Sequence, residues 1–323
     1  MNPIQPEFQK RFSNRVLVAL VLAALAFPSI FLGDWFIILF ALVGLLFATH
    51  EMLSVKPGQV YPLAIRIFVY LMMVAMIFYI FIYNNVAAPL IRFDFSLWSF
   101  ATGLNKLELP TSILTILVAT LFFSSITDVR FKVQDATYLI TMSVLLSLSF
   151  QAFLFLRFFP EFIFDEPRDF GANSLLLLYA AVGTFFTDIG AYLVGTFFGR
   201  SKMNIRVSKN KTWEGFFGGV FISFLGSFLF AMIADGLGSP LLPFLTMQEW
   251  YWILLLSVIM PLIATLGDFT FSIIKREFGI KNFSNVLGEH GGILDRVDSF
   301  SMVVLVVALL ITLIYDFFYF IPI

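Results

Sequence analysis

Residues 267–298 read GDFTFSIIKREFGIKNFSNVLGEHGGILDRVD and form a long polar interruption between two strongly apolar segments, 248–266 and 298–321. Each flanking segment has about the 17–25 residues that a helix needs to cross the hydrocarbon core of a membrane. The interruption carries more charged side chains than a plain connection requires. The stretch therefore predicts two membrane helices joined by a loop that has a chemical task.

The composition of the whole chain indicates the same class of protein. The chain has 323 residues, of which 60% are hydrophobic and 13% are charged, and its mean hydropathy is +0.94. Soluble domains have roughly 45–50% apolar and about 25% charged residues, so we predict an all-α, polytopic integral membrane protein. The absence of cysteine excludes thiolate chemistry, and the only histidines are His50 and His290.

Apolar segments recur along the chain and predict about nine transmembrane helices. They are residues 16–32, 35–54, 63–83, 110–126, 137–157, 173–198, 213–235, 248–266 and 298–321. Only Gly33 and Asp34 separate the first two, so one member of that pair could be re-entrant. We divide the chain into an N-terminal region, 1–160, with about five spans, and a C-terminal region, 161–323, with about four spans and two polar loops.

Basic side chains give the predicted orientation, because cytoplasmic loops of membrane proteins carry an excess of Lys and Arg. If the N-terminus is cytoplasmic, the segments on that side hold all but four of the 20 basic residues. We therefore predict a cytoplasmic N-terminus and an external C-terminus. Both long polar loops of the C-terminal region then face the cytoplasm.

Three aspartates of the polar stretch are candidate ligands for a metal ion. Asp295 and Asp298 are three residues apart, so they share one face if the run that they open is a helix. With Asp268 they would form an all-oxygen site, which suits Mg²⁺ better than zinc. Gly291 and Gly292, next to His290, permit a close approach of the backbone to a ligand.

A second informative stretch begins with Asp188, which lies deep inside an apolar segment. An ionisable group at that depth usually faces a cavity or a polar partner, although a hydrogen bond between helices would also explain it. The loop from Arg200 to Lys211 is the most basic of the chain, and attraction to anionic lipid headgroups could account for its charge. Thr212 opens the next span, where free backbone N–H groups could bind a phosphate.

Carboxylates and basic loops at one end of the last four helices indicate polyphosphate chemistry. Mg²⁺ held by carboxylates can bridge phosphate oxygens, while Lys and Arg neutralise the charge on a pyrophosphate leaving group. The spacing of these residues does not choose between nucleotides or between lipids.

The residues of both stretches resemble a known family. Residues 272–276 (SIIKR), Lys281 and residues 290–298 (HGGILDRVD) closely resemble the signature of the phosphatidate cytidylyltransferases, or CDP-diacylglycerol synthases, with matching spacing over 27 residues. Residues 187–192 (TDIGAY), Ser208 and residues 211–215 (KTWEG) resemble a second block of that family. The first five spans are recognisable only as apolar helices.

The resemblance implies an enzyme of phospholipid biosynthesis in which phosphatidate attacks the α-phosphorus of CTP, pyrophosphate leaves and CDP-diacylglycerol forms. It implies Mg²⁺, with K⁺ as a candidate second ion, a homodimer built from membrane helices, no nucleic-acid partner, and a site that faces the cytosol from a bacterial inner membrane. The C-terminal region would then be catalytic. The implied metal ligands are Asp268, Asp295 and Asp298, the further catalytic residues are Lys275, Arg276 and Arg296, and the substrate-binding residues are Asp188, Ser208, Lys211, Thr212, Glu214, Ser272, Lys281, His290, Gly291 and Gly292.

Two positions depart from the family pattern. Asn282 follows Lys281 where the family has an aspartate, and we interpret this change as tolerated because three other aspartates remain. Lys209 follows Ser208 where the family often has proline, which adds a charge and removes a constraint on the turn.

Two other functions stay open on the residues alone. Intramembrane acids such as Asp188 and Asp268 would also suit a cation-coupled transporter, although few polar groups continue toward the outer half of the last four spans. A CTP-dependent lipid-alcohol kinase would share the nucleotide site but use a hydroxyl acceptor and release CDP.

Overall fold

The computed structural model describes residues 24–58, 60–85, 108–164, 170–204, 207–287 and 291–320. After a helical segment at 24–32, the elements are α1 (Asp34–Leu53), α2 (Leu63–Asn85), α3 (Glu108–Thr127), α4 (Val133–Ile163), α5 (Phe170–Asn173), α6 (Leu175–Phe198), β1 (Lys202–Asn204), β2 (Ser208–Thr212), α7 (Trp213–Gly236), α8 (Trp250–Glu277) and α9 (Leu294–Phe320). The protein is thus built almost entirely of helices, as predicted. In the part of the chain that the structure describes, the sequence analysis did not expect the antiparallel hairpin β1–β2 inside the basic loop.

The lengths of the helices agree with a protein that is integral to a membrane. Among the described residues, six helices are long and apolar enough to cross a bilayer, namely α1, α4, α6, α7, α8 and α9. The apolar parts searched in α2 and α3 are shorter, Leu63–Ile77 and Ile113–Thr127. The count of about nine spans, the cytoplasmic N-terminus and the division near residue 160 stay predictions.

Helices α6 and α7 form the closest pair, because glycines on both helices let the backbones meet. A Cβ atom added at Gly219 would lie 2.8 Å from the carbonyl oxygen of Thr187, and one added at Gly215 would lie 3.1 Å from the Cα atom of Gly195. Small residues permit this kind of packing between membrane helices. These glycines therefore serve the packing of α6 against α7.

Three connections meet at the same end of the bundle. The hydroxyl group of Tyr138 donates to the carbonyl oxygen of Met52 at 3.2 Å, and its ring lies against Phe278 at a centroid distance of 4.7 Å. The ring of Tyr61 packs edge-on against Phe131, 5.8 Å away. The connections after α1, α3 and α8 are thereby packed together, which brings part of the N-terminal region against the polar stretch.

At the other end of the bundle, Arg157 is fully buried. It lies within α4, and its Nε atom donates to the carbonyl oxygen of Ile30 at 2.8 Å. Gly33 interrupts the first two helical segments with a φ of 65° and has no side chain to collide with the guanidinium group. The interruption between the helical segment 24–32 and α1 thus leaves room for the side chain of Arg157.

Candidate functional site

A cleft of about 460 Å³ lies between α6, the β1–β2 hairpin, α7 and α8. Its lining is polar on several sides and includes Asp188, Tyr192, Lys202, Lys211, Thr212 and Asp268. The hairpin is short and follows α6 directly, so it holds its basic side chains over the end of that helix. A cleft with carboxylates and amines on facing walls suits an anionic ligand that arrives with a cation.

The hairpin and α8 are joined across this cleft by an ion pair. The Nζ atom of Lys211 lies 2.5 Å from Oδ2 of Asp268 and 4.2 Å from the centre of the Phe269 ring. Oδ1 of Asp268 accepts a hydrogen bond from the Ser272 hydroxyl group at 3.2 Å. Asp268, Ser272 and Lys275 are spaced by four and three residues, so they share one face of α8.

Lys275 continues that face toward the first turn of α9. Its Nζ atom lies 2.8 Å from Oδ1 of Asp295 and 3.7 Å from Oδ2 of Asp298, and its side chain is only 9% exposed. Asp295 also accepts hydrogen bonds from the backbone N–H groups of Phe283 and Gly292, both at 2.9 Å. Asp295 therefore stabilises the loop before α9 through hydrogen bonds to its backbone. Asp298 accepts fewer hydrogen bonds from backbone N–H groups.

Three carboxylates approach one another from three different helices. Asp188 on α6, Asp268 on α8 and Asp298 on α9 are close enough for mutual electrostatic repulsion, and Lys211 and Arg296 partly offset the charge on Asp188. In the described part of the chain, no group of three or more His, Cys, Asp or Glu side chains is compact enough to hold a metal ion unaided.

The two glycines of the polar stretch approach carboxylates of the protein itself. Gly291 has a φ of 80°, and an added Cβ atom would lie 2.8 Å from Oδ2 of Asp295. A Cβ atom at Gly292 would lie 2.4 Å from Oε2 of Glu51. His290 lies outside the described residues.

Glu51 was missed by the sequence analysis. It is fully buried at the end of α1 and accepts hydrogen bonds from the loop that precedes α9. An ionisable side chain near the end of a long apolar run was the available signal, because such a group needs a polar partner. The same reasoning did single out Asp188.

Two predicted substrate-binding residues hold the hairpin. The carboxylate of Glu214 accepts hydrogen bonds from the backbone N–H groups of Arg200 and Ser201, all at 3.1 Å. The hydroxyl oxygen of Thr212 caps α7 by accepting a hydrogen bond from the N–H group of Gly215 at 3.2 Å. These contacts fix the hairpin to the start of α7 at one edge of the cleft.

The other predicted residues lie on the hairpin, at the end of α8, in the loop after it and at the start of α9. Ser208 begins β2, and Lys281 is exposed in the loop after α8. Arg276 donates to the carbonyl oxygen of Ile280 at 2.8 Å, and Arg296 is exposed in the first turn of α9. Asn282 borders Gly291, since its Cγ atom would lie 3.3 Å from a Cβ atom added there.

Comparisons with known proteins show which family the chain is similar to. Residues 13–314 match the model of the cytidylyltransferase family. A phosphatidate cytidylyltransferase of Staphylococcus epidermidis is 35% identical over 174 residues, 54% of this chain and 58% of the relative. Proteins of the same name from Staphylococcus aureus and Bacillus subtilis are 34% and 29% identical, over 59% and 63% of this chain and 65% and 67% of the relatives. The alignments with the two staphylococcal relatives thus span less than two thirds of the relatives' length.

Proposed function

This chain belongs to the cytidylyltransferase family, and we propose that it transfers the cytidylyl group of CTP to phosphatidate, giving CDP-diacylglycerol and pyrophosphate for phospholipid synthesis. One observation carries the proposal. Two lysines, Lys211 and Lys275, are paired with aspartates on α8 and α9 beside a polar cleft. Relatives that are named for this reaction support the choice of substrates.

In the proposed reaction, a phosphate oxygen of phosphatidate attacks the α-phosphorus of CTP. A new P–O bond forms, the bond from the α-phosphorus to the bridging oxygen breaks, and the electron pair leaves with pyrophosphate. The phosphate nucleophile is already anionic and needs little help from a general base. Lys211 and Lys275 would stabilise the charge that develops on the transferred and leaving groups.

We also propose that the site uses Mg²⁺, with K⁺ as a candidate second ion. Asp268 and Asp298 fit such an ion, because the two carboxylates repel each other and a bound cation would relieve that repulsion. Mg²⁺ is usually held by one or two carboxylates together with substrate phosphates. It would supply charge neutralisation on the phosphate oxygens. Asp295 already accepts hydrogen bonds from three N–H groups, so its role as a ligand stays a prediction.

The placement of the site in the cell is part of the same proposal. The excess of basic residues in the loops around the site supports a cytosolic location, and the bacterial relatives support the inner membrane of a bacterium. CTP would enter from the cytosol, and phosphatidate would arrive sideways from the bilayer. We further propose a homodimer through transmembrane helices and no nucleic-acid partner.

Differently labelled CTP gives a direct test. The purified protein is mixed with Mg²⁺ and phosphatidate in micelles, and parallel reactions contain CTP labelled at the α-phosphate or at the γ-phosphate. We expect α-label in the lipid phase and γ-label in pyrophosphate, in equal amounts.

The same assay, repeated with a lipid alcohol in place of phosphatidate, separates the rival functions. Transfer of γ-label to a lipid alcohol, with release of CDP, would replace the proposal with a lipid kinase. No turnover of CTP by folded protein, with any of these lipids, would overturn both enzymatic readings and favour a transporter.

A further inference from the structure

The N-terminal region contributes a buried carboxylate to the loop before α9. Oε1 of Glu51 accepts hydrogen bonds from the Ser284 hydroxyl group at 2.7 Å and from the N–H group of Ile293 at 2.8 Å. Oε2 accepts from the N–H group of Leu294, also at 2.8 Å. The side chain is fully buried, so water does not compete for these three bonds.

These contacts make Glu51 a cap that α9 receives from another helix. The first N–H groups of a helix have no partner inside the helix, and a negative charge at that position is also favoured by the helix dipole. Ile293 and Leu294 lie at the start of α9, and the carbonyl oxygen of Ile293 accepts from the N–H groups of Arg296 and Val297. Glu51 therefore helps to fix the first turn of α9.

The loop is shaped to receive this carboxylate. Gly292 leaves room for Glu51 that any other side chain would take, because a Cβ atom there would lie 2.4 Å from Oε2. The same glycine donates its N–H group to Asp295 at 2.9 Å. Glu51 and Asp295 thus hold the backbone at residues 292–294 from two directions.

We infer that Glu51 is a positioning residue for the transfer reaction. Its hydrogen bonds go to the loop and to the start of the helix turn on which Asp295 and Asp298 are carried. This inference rests on the proposed function. It also means that the catalytic arrangement depends on α1, outside the predicted catalytic region.

The test uses the full-length protein and a variant of almost the same shape. Glu51→Gln removes the charge and turns an acceptor oxygen into an NH₂ group, which cannot accept from an N–H group. His50→Gln, at the neighbouring and exposed position of α1, is the matched control. Glu51→Asp keeps the charge with a shorter reach and serves as the second variant if the glutamine variant does not fold.

The first readout is independent of activity. Hydrogen–deuterium exchange of peptides covering 284–297 should become faster in Glu51→Gln, while α6 and α7 keep the protection of the unchanged protein. His50→Gln should leave every peptide unchanged. Unchanged exchange at 284–297 would overturn the inference, because the cap would then not hold the loop.

The second readout is kinetic. Loss of a partner that orients an active-site ligand typically costs about 10–100-fold in activity or metal affinity. We expect kcat to fall by this factor in Glu51→Gln, with a smaller change in the KM for CTP, an intermediate value for Glu51→Asp and the original value for His50→Gln.

A faster exchange at 284–297 with unchanged kcat would also overturn the inference, since the cap would then be structural only. If the unchanged protein makes no CDP-diacylglycerol, the proposed function fails and the role of Glu51 in transfer fails with it. The exchange experiment would still show in that case whether Glu51 holds the loop.

Discussion

The Nζ atom of Lys211 lies 2.5 Å from Oδ2 of Asp268 and so connects the basic hairpin to the middle of α8. Both side chains are partly exposed to the cleft, at 26% and 29%. The lysine is thus held in place by a carboxylate and remains accessible to an incoming anion. A triphosphate in the cleft would also pair with Lys211 and would weaken the ion pair between Lys211 and Asp268. A bound cation would then neutralise the negative charge of Asp268.

Substitution of this lysine should weaken productive binding of CTP. A hydrogen bond to a charged group contributes about 1.5–3 kcal/mol, so we expect Lys211→Met to lower kcat/KM for CTP by about 10–100-fold. Arg130→Met is the control, because Arg130 is exposed in the turn between α3 and α4. The measurement is the initial rate against CTP concentration. Equal losses in both variants would contradict a specific role for Lys211.

Asp268 should govern the requirement for the metal ion. We expect Asp268→Asn to raise the Mg²⁺ concentration for half-maximal rate by about tenfold or more, since loss of even an indirect metal partner has that effect. Asp128→Asn is the matched control, because Asp128 is paired with Arg130 in a turn away from the cleft. An Mg²⁺ titration of the rate that is the same for Asp268→Asn and the unchanged protein would remove Asp268 from the proposed metal site.

The two aspartates of α9 should behave differently when they lose their charge. Asp298→Asn should reduce kcat by about 100-fold or more with little change in thermal unfolding. Asp295→Asn should reduce kcat and also lower the unfolding temperature in detergent, because an amide cannot accept from all three of its N–H partners. A side-by-side comparison of turnover and unfolding temperature checks this. Equal stability of the two variants would show that Asp295 does not fasten the loop.

The close contact between α6 and α7 predicts that one added methyl group will lower the stability of the protein. A Cβ atom at Gly219 would lie 2.8 Å from the carbonyl oxygen of Thr187, and such overpacking typically costs about 1–3 kcal/mol. Gly219→Ala should therefore lower the unfolding temperature. Gly236→Ala, at the end of the same helix, is the control, since a Cβ atom there meets nothing within 4 Å. Equal unfolding temperatures would indicate that the two helices can move apart freely.

Single cysteines can test the orientation, because the native chain has none. Lys202→Cys and Lys281→Cys should react with a membrane-impermeant thiol reagent only from the cytoplasmic side. Gln248→Cys, in the exposed connection between α7 and α8, should react only from the opposite side. The measurement is labelling of intact cells against labelling of opened membranes. Reaction of Lys202→Cys in intact cells would reverse the predicted topology.

The class of protein and the approximate positions of most described helices followed from the order of residues alone, but α8 continues to Glu277 and α9 begins at Leu294, both inside the stretch predicted as a loop. Apolar runs of membrane-spanning length are local features, and hydrocarbon leaves a backbone few options other than a helix. The family signature also singled out Lys275, Asp295 and Asp298 as candidate site residues, because their spacing along the chain is itself the signal, and their roles stay predictions. The hairpin β1–β2 was not expected, since its strands of three and five residues are too short to give a clear alternation.

Partnerships between distant segments were decided only by the tertiary structure. Glu51 lies 242 residues before Ile293, with which it forms a hydrogen bond, and no local pattern relates the two positions. The same holds for Lys211 and Asp268, which meet because α6, α7 and α8 pack side by side. The glycines at 291 and 292 were expected to approach a ligand, whereas they approach the carboxylates of Asp295 and Glu51. A sequence records which groups are costly to bury, but their partners depend on which helices come into contact.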